Sequence, residues 1–69
     1  MTELVFHIEE DPEGGYTARA VGAAIFTEAD TLPELREGIR EAVTCHFDRP
    51  EDRPRIVRLH FTRDEVMAL

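Results

Sequence analysis

Residues 8–47 read IEEDPEGGYTARAVGAAIFTEADTLPELREGIREAVTCHF, and this stretch decides the fold. It opens on the end of an alternating segment. Counting back to residue 3, Leu4, Phe6 and Ile8 point one way and Val5, His7 and Glu9 the other. A period of two over β-branched and aromatic residues marks a half-buried strand, predicted over 3–10. DPEGG follows. Pro12 suits an early turn position, and Gly14 and Gly15 take positive φ without steric cost. YTARAV, residues 16–21, is the return strand, with Tyr16, Ala18 and Ala20 on one face and Thr17, Arg19 and Val21 on the other. Its small alanines leave room for a helix to come close. Gly22 breaks the run, and Ala23 to Thr27 reads as a short third strand with Ile25 and Phe26 as its bulky members. Periodicity alone does not decide which of those two faces the core.

The helix has the clearest signature. Thr31 at N-cap with Glu34 three residues on is a capping box. Pro33 is tolerated in the first turn, where its missing N–H would lack an intrahelical partner. Glu34 and Glu37 sit near the positive end of the helix dipole. Leu32, Leu35, Ile39, Ala42, Val43 and Phe47 form one apolar stripe at helical spacing, with Glu34, Glu37 and Glu41 opposite. Gly38 in mid-helix costs roughly 0.5–1 kcal/mol relative to Ala, so close packing is its expected reason. The helix should stop before Pro50, which steers Arg49 out of the helical region.

RPEDRP is a polar loop. RIVRLHF, residues 55–61, makes the last strand; Val57, Leu59 and Phe61 should lie under the helix, and Ile56, Arg58 and His60 on the other face. A strand reached through a helical crossover runs most naturally parallel to an earlier strand. In the tail TRDEVMAL, Thr62 to Glu65 repeats the T-x-x-E spacing and invites one helical turn, although seven residues are too few for an isolated helix. Val66, Met67 and Leu69 need somewhere to dock. The predicted architecture is α+β: a β-β-β-α-β mixed sheet with one helix on one face, in a single domain over 1–69.

Sixty-nine residues bury only about 60% of the unfolded surface, so self-association or a partner would supply missing area. The net charge of −7 argues against direct nucleic-acid binding, which needs clustered cations. The charge is uneven. Residues 1–48 hold eleven acids and three arginines, for −8; residues 49–69 hold four acids and five arginines, for +1. Such an acidic surface suits solubility, or a basic protein partner. A single cysteine excludes an internal disulfide framework. With no signal peptide and no apolar run of spanning length, the expectation is a reducing, cytoplasmic compartment with no membrane contact.

Catalytic patterns fall short. The strand–helix order invites comparison with RNase H-type nucleases, which gather carboxylates from the first strand, the helix and a later strand around two metal ions. Glu9 and Glu10 end the first strand and Glu34, Glu37 and Glu41 line the helix, but no carboxylate lies between Arg55 and Thr62. Three histidines, His7, His46 and His60, have no metal-ligand spacing. His7 and His60 share the polar phase of strands expected to be neighbours, where a solvated or interface pair is the commoner arrangement. Cys45 and His46 are adjacent on a helix and do not face each other, so Cys45 reads as a small, partly buried residue. Gly14-Gly15 opens no helix and is no phosphate loop. Arg53, Arg55, Arg58 and Arg63 read as a solvated basic strip. No catalytic residue, metal or cofactor is predicted.

IEEDPEGGYTARA resembles the opening hairpin of HicB-like antitoxin domains, and FTEADTLPELREGIREAV resembles their passage from strand to capped helix through Thr27, Asp30, Thr31 and Glu34. The resemblance covers residues 3–47, and RIVRLHFTRDEVMAL is similar to short, stand-alone relatives. It implies the partial RNase H-like fold, self-association, and a function: binding and masking a small basic RNA-cleaving toxin of the HicA type. The acidic helix face, Glu34, Glu37 and Glu41, is the expected partner contact, and Val66, Met67 and Leu69 are the expected oligomer contact. RDEVMAL is too short for the DNA-binding segment that full-length antitoxins carry. The alternative expectation is an accessory subunit that self-associates through Val66, Met67 and Leu69 or an edge strand; a metal-dependent nuclease is the weakest reading.

Overall fold

The computed structural model describes residues 2–69. The alternating segment is strand β1, Glu3–Glu10, and it turns at DPEGG into β2, Tyr16–Ala20. Gly14 and Gly15 close the turn at φ 108° and 91°, as their lack of a side chain permits. β3, Phe26–Ala29, leads into α1, Leu32–His46, and β4, Ile56–Thr62, closes the sheet. The strand order is β3-β2-β1-β4. β1 pairs antiparallel with β2 and parallel with β4, so the crossover through the helix has the expected sense. This is the α+β mixed sheet with one helix on one face.

One face of the sheet carries the core. Leu4, Phe6 and Ile8 of β1 and Ala18 and Ala20 of β2 are buried beneath Leu35, Ile39 and Val43 of α1. Leu32, Ala42 and Phe47 flank that stripe, half-buried. The two alanines let the helix come down on the sheet. Gly38 does the same on the next strand: a Cβ there would stand 3.0 Å from the Thr27 hydroxyl. Its cost to the helix is the condition of close packing on β3.

Capping follows the sequence pattern. The Glu34 amide donates to the Thr31 hydroxyl at 3.3 Å, and that hydroxyl donates to the Glu34 carboxylate at 2.9 Å. Thr31→Ala is expected to lower unfolding free energy by about 1 kcal/mol, read as a shift of the urea midpoint. At the other end Arg53 donates from Nε to the Phe47 carbonyl at 3.0 Å and from Nη2 to that of Thr44 at 3.3 Å. These bonds satisfy helix-end carbonyls that otherwise lack a partner and pin the connecting loop, which contains one 3₁₀ turn, Pro50–Asp52.

Five expectations are corrected. The third strand starts at Phe26 rather than Ala23, and β2 ends at Ala20 rather than Val21. Gly22, at φ 87°, and the bond from the Ala20 amide to the Ile25 carbonyl make a tight reversal there, which drops Ile25 into the core and leaves Phe26 outside. Phe61 is not under the helix but 49% exposed. α1 begins directly after β3, three strands from β4, or roughly 14 Å at ordinary strand spacing, so its first turn cannot reach Phe61. Cys45 is exposed; two residues past buried Val43 it lies about 200° around the helix. Residues 63–69 form no helical turn and are exposed throughout. Among the described residues no helix is long and apolar enough to cross a membrane.

Candidate functional site

Acidic residues gather where the β1–β2 turn meets the start of the helix, although Glu28, opposite Thr17 in register, directs its side chain to the sheet face away from the helix. The turn is held by the Asp11 amide donating to the Gly15 carbonyl at 3.0 Å and the Gly14 amide to that of Asp11 at 2.9 Å. The Asp11 carboxylate accepts from the Glu13 amide at 2.9 Å. Antiparallel pairing sets Tyr16 opposite Ala29 and Thr17 opposite Glu28, which brings the end of β3 beside the turn. The cleft between them, about 570 Å³, is lined by Asp11, Glu28, Asp30 and Glu34 together with Tyr16, and by no basic residue. These carboxylates are solvated, and among the described residues no three His, Cys, Asp or Glu side chains group closely enough to hold a metal ion. The geometry offers a negative, aromatic-floored depression suited to a cation-bearing surface.

The three glutamates singled out from the sequence are all exposed on α1 but differ in surroundings. Glu34 turns toward the cleft while serving the cap. Glu37 is paired with Arg40 on its own helix. Glu41 makes no ion pair among the described residues. Asp11, Glu28 and Asp30 were not singled out; their signal, acids flanking the turn and β3, becomes visible only once the β2–β3 register is known.

The sheet face away from the helix is open. His7 and His60 stand side by side in the β1–β4 register, ring centroids 5.9 Å apart, with Thr62 Oγ1 within hydrogen-bonding distance of His7 Nε2. Arg58 donates to Glu3 on the same face, a bond and a charge that hold the guanidinium above its usual range. The Arg19 guanidinium lies 5.6 Å from the centre of the Phe26 ring. Glu9 points to this open face, and Glu10 meets Arg63 at 3.7 Å. First-strand and helix carboxylates therefore do not gather at one point. The strip of four arginines also separates: Arg58 faces the open side, Arg63 the end of β1, and Arg53 the helix end.

A curated protein from Thermotoga maritima, named UPF0150 protein, is 42% identical over 67 residues, covering 97% of this chain and 93% of its own length. The chain belongs to the UPF0150 family. A second UPF0150 protein, from Archaeoglobus fulgidus, is 48% identical over 52 residues, covering 75% of this chain and 77% of its own. No family model matches the chain, and no solved structure matches it significantly. The UPF0150 match to the Thermotoga protein takes in all four strands and the helix, so the likeness is one of whole fold rather than of hairpin alone.

Proposed function

We propose that this UPF0150 chain is a non-catalytic protein-binding module of the HicB-like kind, which masks a small basic partner such as a HicA-type mRNA-cleaving toxin. The observation that carries the reading is the acidic cleft bordered by Asp11, Asp30 and Glu34. It is built from the hairpin and the capped helix, the segments that resemble HicB-like domains. Complementary charge of this kind accelerates encounter and rejects wrong partners more than it adds raw affinity. Glu37 and Glu41 extend the same negative surface along the helix.

The test uses a small basic protein encoded beside this gene. Titration should show a complex whose formation slows as salt rises, and RNA cleavage by that partner should fall as the complex forms. Asp11→Asn and Asp30→Asn together should weaken binding roughly tenfold or more. These residues are exposed and leave the Thr31 cap intact, so thermal stability should hold. Absence of binding, together with undiminished RNA cleavage, sinks the reading. A second reading, an accessory subunit that assembles with itself, is favoured by the exposed apolar side chains of residues 66–69.

A further inference from the structure

Two histidines distant in the chain meet on the open face of the sheet. Parallel pairing sets His7 of β1 opposite His60 of β4, and the next row on the same face sets Glu9 opposite Thr62. The four residues stand at the corners of a rectangle about 4.8 by 6.6 Å, the spacing of neighbouring strands by that of alternate residues. The two rings are 5.9 Å apart, centre to centre. His7 Nε2 is turned toward Thr62 Oγ1, along the diagonal of the rectangle. One imidazole therefore aims a nitrogen at the middle of the group.

Both arginines that border the pair are drawn off it. Arg19 lies opposite His7 on the β2 side, but its guanidinium sits over the Phe26 ring at 5.6 Å. Arg58, two residues before His60, donates to Glu3. Each contact draws a positive charge away from the centre of the rectangle. Glu9 is exposed and has no ion pair among the described residues. Its carboxylate does not close on the two rings in its present rotamer. An exposed side chain passes between staggered rotamers at little cost, and the long Glu9 side chain can turn back along β1 toward His7.

We propose that His7, His60 and Glu9 bind one zinc ion, with water or the Thr62 hydroxyl in the fourth position. Imidazole with carboxylate suits zinc and its neighbours among the transition metals, whereas magnesium and calcium take oxygen ligands. The spacing fits as well. Two imidazoles on a tetrahedral zinc ion, each nitrogen ~2.1 Å from the metal, have ring centres about 5 Å apart, so these rings need approach by only about 1 Å. The ion would act as a clamp. β4 is an edge strand paired only with β1, and α1 rests on β3 and β2. No residue of β4 is fully buried. A bridge from His7 to His60 ties this least-covered strand to the sheet. The site lies on the face away from the helix, and it does not depend on the masking of a basic partner.

The experiment is calorimetric titration of zinc into the full, metal-free chain. One ion should bind per chain with a dissociation constant on the order of 10 µM, and magnesium should give no binding. His7→Gln and His60→Gln should each raise that constant more than about thirtyfold, and Glu9→Gln roughly tenfold. His46→Gln, in the last turn of the helix, should leave it unchanged. Zinc should raise the melting temperature of the parent chain and slow amide exchange across residues 56–62. It should also shift the ring-proton resonances of His7 and His60 but not those of His46, a readout that needs no variant. Absence of binding at about 1 mM zinc overturns the proposal. So does binding that persists undiminished when His7 and His60 are both replaced.

Discussion

Phe6→Ala is expected to lower unfolding free energy by about 3–5 kcal/mol, the usual cost of emptying a large aromatic site in a core. Phe6 is fully buried at the middle of β1, with Ala20 opposite it on one side and Leu59 on the other. Both neighbours are anchored in strand pairing, and Ala20 has no side-chain length with which to fill the space, so little collapse is available. A chain of this length has a total stability of roughly 3–10 kcal/mol. The substitution therefore removes most of it. Far-ultraviolet circular dichroism with urea titration should show the native baseline shortened or gone at 25 °C. Phe26→Ala is the control, since that ring is 53% exposed on the open face of the sheet; it should cost less than about 1 kcal/mol. Equal losses in the two variants would contradict the placement of the core.

Leu35→Ala comes next, at about 2–5 kcal/mol. Leu35 is fully buried in the apolar stripe of α1. Ala is a better helix former than Leu, so any loss measures tertiary packing rather than the helix itself. The guanidinium midpoint should fall while the slope of the transition stays the same. Glu41→Ala, on the exposed side of the helix, should leave the midpoint within about 0.5 kcal/mol of the parent. A Leu35 variant as stable as the Glu41 variant would mean that the helix is not docked on the sheet through this stripe.

What could be read from the residues was what is local in the chain. The alternation of β1, the Gly14-Gly15 turn and the capping box of Thr31 and Glu34 each lie within a few residues, and each forms where expected. The parallel placement of β4 followed from connectivity alone. The offset of β3 was not readable, because Ala23 and Ala24 suit a strand as well as the tight reversal that Gly22 begins. Phe61 has the same phase as Val57 and Leu59, and only the path of the helix decides that it stays uncovered.

The candidate site was readable in sign rather than in membership. Glu34 was visible as an exposed acid on the helix, whereas Asp11 and Asp30 join it only once the hairpin and β3 are paired.

The parallel pairing of β1 with β4 also fixes the order in which the molecule can be assembled. Its contacts join residues as far apart as His7 and Thr62, 55 positions along the chain, while the hairpin, β3 and the helix involve near neighbours. Closing so long a loop comes before any reward from the contacts it brings. During synthesis β1 therefore waits with one side bare until the final strand has left the ribosome. A strand that lies inside the finished sheet is the exposed edge of the growing one.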